Sequence, residues 1–210
     1  MLTAILSLLA MGTAVLAIRG EYQPTRTHVY IFKPLTTFLI ILIALQGSTP
    51  AAPAYKWLIV AGLILCLAGD VFLMLPPRYF IMGLGSFLAG HWFYIAAFSV
   101  GGTIFSWWLL PLLLYGGVIY ALLHPHLGKM RGPVIAYIVT ILLMAWQALG
   151  RWSTVTTTPA LLAAVGAVLF VISDSLLALD RFRQQFKLAR LLVLTTYWSA
   201  QWLIALSVAW

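Results

Sequence analysis

The chain has 210 residues, 63% of them hydrophobic and 8% charged, with a mean hydropathy of +1.04 and a net charge of +8. A soluble domain carries about 25% charged residues, so this composition excludes a water-facing globular surface. The basic residues stand singly at the ends of apolar runs, as membrane topology requires, and not in the clusters that would mark a nucleic-acid partner.

The apolar runs predict helices over 2–18, 29–46, 56–75, 79–98, 105–123, 132–149, 160–179 and 188–208. Lipid tolerates only helices and closed barrels, and these runs lack the period-2 alternation of a barrel strand. The expected fold is therefore all-α, a single transmembrane domain over 1–210 with no soluble domain. The first run, Leu2 to Ile18, has the length of a signal peptide but no basic n-region, and further spans follow it. Connectors are punctuated by Gly47-Ser48-Thr49-Pro50, Pro76-Pro77, Gly101-Gly102 and the stretch from Gly128 to Pro133.

Basic residues orient the spans. Arg19, Arg26, Arg78, Lys129, Arg131, Arg181, Arg183, Lys187 and Arg190 fall in alternate connectors, against Lys56 and Arg151 on the other side. That asymmetry predicts odd-numbered loops in the cytoplasm and both termini outside. Trp57, Trp107, Trp108, Trp152 and Trp210 fall at the outer boundary, where indoles anchor. A shift of 104 residues lays Ala61–Leu75 on Val165–Leu179, with Gly62 on Gly166 and Asp70 on Asp174, which suggests two parallel four-helix repeats.

An ionisable side chain inside a span costs roughly 2.5–3.5 kcal/mol on insertion scales and asks for a reason. Lys33, Asp70 and Asp174 are three such residues, and at 1.5 Å rise per residue all lie roughly 6–9 Å below one surface. They suggest one polar site on three helices. Lys33, near its helix start, is also placed to snorkel to the interface. Gly62, Cys66 and Asp70 share a helix face, as do Gly166, Phe170 and Asp174; small residues there favour helix packing over lipid. Gly83, Phe87, His91 and Tyr94 form a further face, Tyr197 and Gln201 another, and Tyr137, Thr140, Met144 and Gln147 a mixed stripe. Such faces suit a cavity for one polar head and one apolar tail. His124 and His126 flank Pro125 at the surface, Cys66 is the single cysteine, and the histidines lack metal-site spacing. Neither a phosphate-binding glycine loop nor a nucleophile elbow is present.

Phe32-Lys33-Pro34-Leu35, Leu67-Ala68-Gly69-Asp70, the segment from Gly85 to Tyr94, the segment from Gly166 to Asp174, and Tyr197 with Gln201 follow one another in an order that resembles the YhhN family. That family includes the mammalian transmembrane lysoplasmalogenases. The resemblance implies an eight-helix membrane hydrolase that cleaves the vinyl ether of a lysoplasmalogen to a fatty aldehyde and glycerophosphoethanolamine or glycerophosphocholine. It implies Asp70 and Asp174 as the catalytic pair. The chemistry suits them: protonation of the β carbon gives an oxocarbenium ion, which needs a general acid, a nearby anion and a positioned water, as in glycosidases. Lys33, His91, Tyr94, Tyr197 and Gln201 are then candidates for binding substrate or orienting water. No metal or organic cofactor is needed, and the expected partner is a lysophospholipid in a bacterial inner membrane. Intramembrane Asp and Lys at one depth also describe a proton-coupled small-molecule or lipid transporter, and a non-catalytic assembly factor would leave the paired aspartates unexplained.

Overall fold

The computed structural model describes residues 1–47, 53–102 and 105–209. The connector residues 48–50 and Trp210 named above lie outside these. Every regular element among the described residues is helical: α1 (Leu2–Glu21), α2 (Thr27–Gln46), α3 (Pro53–Met74), α4 (Phe80–Phe98), α5 (Leu109–Leu123), α6 (Arg131–Val155), α7 (Thr158–Ala178) and α8 (Ala189–Ala209). Counted with the short turns that continue them, all eight are long and apolar enough to cross a membrane.

Two boundaries differ from the sequence expectation by more than three residues, each for a side-chain reason. Helix α5 begins at Leu109, not at 105. The preceding residues are held as a turn against α6: Trp146 Nε1 donates to the Ser106 carbonyl at 3.0 Å and Trp108 Nε1 to Ser153 Oγ at 2.8 Å. Helix α6 continues past 149 to Val155 and stops where Thr156 turns left-handed at φ 49°. The Gly150-Arg151-Trp152 run reads as a terminus, but the Arg151 guanidinium lies 4.7 Å over the Tyr55 ring and reaches the Val100 carbonyl. Its charge is satisfied without ending the helix.

Six helices close a ring in the order α2, α3, α4, α6, α7, α8 and back to α2. Helix α1 packs outside it on α2 and α8, and α5 outside it on α6. The 104-residue shift carries α2, α3 and α4 onto α6, α7 and α8, and each packed pair in the ring then falls on another packed pair. The small residues of the repeat serve this packing. A Cβ on Gly62 would collide with the Tyr94 ring, and one on Gly166 would stand 2.8 Å from the Ala200 carbonyl oxygen. The two tightest pairs, α3 with α4 and α7 with α8, are therefore closed by equivalent glycines. The ring's core is mostly apolar, with Ile40, Ile43, Ile59, Leu63, Phe98, Met144, Phe170 and Ile204 fully buried. Leucine, isoleucine and aromatic side chains of α1 and α5 remain exposed on the outer face, as a lipid-facing surface requires.

Candidate functional site

Asp70 is 1% exposed, one turn before the end of α3, and three donors converge on it. Lys33 Nζ stands 3.6 Å from Oδ1, while Thr37 Oγ1 and Tyr197 Oη donate to Oδ2 at 2.7 and 2.8 Å. Thr37 in turn receives the Trp198 indole N–H at 3.3 Å. Lys33 and Thr37 are one turn apart on α2, so one helix face supplies both the cation and a hydroxyl. Pro34, between them, removes the amide that would bond the Tyr30 carbonyl.

Asp174, near the end of α7, is only partly buried and accepts a hydrogen bond from Tyr137 Oη on its Oδ2. Its other oxygen has no hydrogen-bond partner among the described residues. Lys33 and Tyr137 are 104 residues apart, as are Asp70 and Asp174. The two halves thus build the same contact, one with a cation and one with a phenol.

Both aspartates line a cavity of about 140 Å³ that opens where the α1–α2 and α7–α8 connections meet. All four acidic residues of the chain, Glu21, Asp70, Asp174 and Asp180, line it, together with Arg26, Lys33, Arg181 and Arg190. A second chamber of about 60 Å³ adjoins it, walled by Leu84, Ile119, Val134, Ile138, Ile141 and Phe182. Asp174, Phe80, Phe87 and Arg181 line both. Asp174 therefore stands at the junction of a polar and an apolar compartment, and Asp70 stands on the polar side.

Of the residues singled out from sequence, the fold brings Lys33, Asp70, Asp174 and Tyr197 into one cavity. His91, Tyr94 and Gln201 line neither compartment and are fully buried deeper in the ring. His91 and Gln201 lie one turn beyond Phe87 and Tyr197: a helix face runs the full depth of the bundle, and only its outer turn reaches the cavity. The His91 ring meets Phe170 and Tyr137 edge-on at 4.8 and 5.4 Å, and Tyr94 Oη lies 3.7 Å from Cys66 Sγ. Among the described residues, neither ring nitrogen of His91 nor either amide atom of Gln201 has a hydrogen-bond partner.

Thr37 and the role of Tyr137 escaped the sequence reading. Thr37 carries the signal of standing at i+4 from Lys33, and Tyr137 that of standing 104 residues after it. Arg26, Arg181 and Arg190 count in the sequence only as connector charges that orient the spans, and Glu21 and Asp180 stand beside them with no pattern that marks a site. Among the described residues, no three His, Cys, Asp or Glu side chains gather as metal ligands.

The model of the YhhN family matches residues 28–208. A protein of Escherichia coli O157:H7 named "Uncharacterized membrane protein YhhN" is 31% identical over 198 residues, which covers 93% of this chain and 94% of that one. Lysoplasmalogenase TMEM86A of Bos taurus is 36% identical over 160 residues, 71% of this chain and 64% of that protein. Lysoplasmalogenase TMEM86B of Homo sapiens is 34% identical over 154 residues, 73% of this chain and 64% of that protein. No solved structure matches. With eight membrane-length helices and a family match over most of its length, this chain is an integral membrane protein of the YhhN family.

Proposed function

We propose that this chain is a lysoplasmalogenase, hydrolysing the vinyl ether of a lysoplasmalogen within the membrane. The observation that carries the reading is Asp174 at the seam between a polar cavity and an apolar chamber, with Asp70 lining the polar cavity beside it. In a lysoplasmalogen the vinyl ether lies at that same seam, between glycerol head and alkenyl tail. The names of the TMEM86A and TMEM86B relatives support it independently.

The two carboxylates divide the work by their surroundings. Asp70, with a cation and two hydroxyls already donating to it, is the anion that faces the developing positive charge. Asp174, at the seam and with one oxygen free, is the acid. It delivers a proton to the β carbon of the vinyl ether, giving an oxocarbenium ion. Water adds to the α carbon and returns a proton to the Asp174 carboxylate. The hemiacetal collapses as its hydroxyl proton passes to the glycerol oxygen, releasing a fatty aldehyde and the glycerophospho alcohol. Water is the net co-reactant, and Asp174 ends as it began. Tyr137 orients Asp174; Lys33 and Tyr197 orient Asp70. His91, Tyr94 and Gln201 act from behind, holding the helices that carry the wall. On the distribution of arginine and lysine, the cavity opens to the cytoplasmic leaflet of a bacterial inner membrane, with both termini outside.

The test is aldehyde release by the purified protein from lysoplasmenylethanolamine, coupled to an aldehyde dehydrogenase. The saturated ether analogue serves as control. Release from the vinyl ether alone is expected; a folded protein that releases none refutes the reading.

A further inference from the structure

The mouth of the polar cavity has an organisation that the aspartate chemistry does not use. Tyr22, just past α1, ties the α1–α2 connection onto the start of α8: its hydroxyl donates to the Lys187 carbonyl at 3.1 Å and accepts from the Leu191 amide at 3.2 Å. Asp180 Oδ1 accepts from the Phe186 amide at 3.2 Å and folds the α7–α8 connection over the opening. Three arginines from three segments consequently face one cavity. Arg190 pairs with Glu21 at 3.8 Å, Arg181 lies 4.7 Å over the Phe80 ring, and Arg26 has no carboxylate partner among the described residues. Lys33, the remaining cation of the cavity, is taken by Asp70.

From this arrangement we infer that the cavity mouth is a headgroup subsite for a lipid phosphodiester, with Arg26 and Arg190 as its phosphate ligands. The inference rests on the lysoplasmalogenase reading for the orientation of the lipid: tail in the apolar chamber, scissile ether at Asp174, phosphate outermost. Arg26 is exposed and unpaired, and a planar guanidinium suits a phosphate oxygen pair. Arg190 is half exposed at its side chain while Glu21 is nearly covered, so the arginine is the mobile member of that pair. Phosphate draws Arg190 away, and the freed Glu21 carboxylate is left facing the ammonium of an ethanolamine head. Arg181, fixed over Phe80, closes the side where head meets tail.

Binding is measured without turnover, using the saturated 1-O-alkyl lysophosphatidylethanolamine and the phosphate-free 1-O-alkylglycerol in the same detergent. Each Arg→Gln change at Arg26 or Arg190 is expected to weaken the lysophospholipid by about tenfold and to leave the alkylglycerol unchanged. Glu21→Gln is expected to weaken the ethanolamine lipid and to spare the alkyl lysophosphatidic acid. Arg183→Gln, a basic residue of the same face outside the cavity, is expected to change nothing. Inorganic phosphate is expected to compete only at far higher concentration than the lipid.

Equal loss in Arg183→Gln, competition by phosphate at lipid-like concentration, or parent affinity in both Arg26→Gln and Arg190→Gln overturns the inference. The two readings fail separately. The expected binding pattern without aldehyde release refutes the hydrolase and leaves the subsite. Equal aldehyde release from phosphate-free alkenylglycerol refutes the subsite and leaves the hydrolase.

Discussion

Replacing Lys33 by methionine tests the physical heart of the site. Lys33 and Asp70 are 7% and 1% exposed and 3.6 Å apart. At an effective dielectric constant of about 20, that separation gives roughly 4–5 kcal/mol of attraction. Much of it offsets the cost of taking both ions out of water, so the pair's net contribution is small. Breaking it from one side is different, because Asp70 keeps its burial and loses its cation; such a change costs about 3–5 kcal/mol. Lys33→Met is therefore expected to lower unfolding free energy in mixed micelles by about 3 kcal/mol or more. Asp70→Asn alone leaves an unpaired buried ammonium and is expected to cost a similar amount. The double variant Lys33→Met/Asp70→Asn removes both charges and is expected to cost no more than either single change, which corresponds to a coupling of about 3 kcal/mol or more. Its activity stays absent, because the anion beside the oxocarbenium ion is gone. Additive losses in the double variant, with no coupling, would refute the claim that Lys33 acts through Asp70.

Asp174→Asn and Asp70→Asn are each expected to lower aldehyde release by about 10²–10⁴-fold in protein that is still folded, as judged by gel filtration and helical circular dichroism. Tyr137→Phe removes the hydroxyl that holds Asp174 and is expected to lower kcat by about tenfold, with KM nearly unchanged. Leu84→Trp fills the apolar chamber and is expected to raise KM for long-tailed substrates far more than for short-tailed ones, read from a chain-length series. Gly166→Val presses a branched side chain onto the Ala200 carbonyl and Ile204, and is expected to destabilise the α7–α8 pair by about 1–3 kcal/mol.

What the sequence made legible follows from the cost of charge in lipid. Apolar runs of membrane length announce all eight helices, and ionisable residues inside such runs are scarce enough that Asp70, Asp174 and Lys33 stand out one by one. Tyr197 was reachable because it shares a helix face with Gln201. Helix period carries no depth, however: His91, Tyr94 and Gln201 lie on the right faces but a turn or more beyond the cavity. Nor does it say how a connector folds. Glu21, Arg26 and Arg190 look like ordinary loop charges until Tyr22 brings the α1–α2 connection onto α8. The 104-residue shift also pairs Tyr137 with Lys33 and so marks the donor to the second aspartate.

The most direct test of the central claim is the fate of solvent atoms during the reaction. The purified protein would cleave lysoplasmenylethanolamine in D2O enriched in oxygen-18, with the aldehyde reduced at once to its alcohol. The account predicts one deuterium on the carbon next to the former carbonyl, no oxygen-18 in the glycerophosphoethanolamine, and loss of both products in Asp174→Asn. Oxygen-18 in the glycerophosphoethanolamine would place the attack on the glycerol side of the ether and contradict acid-catalysed cleavage of the vinyl ether.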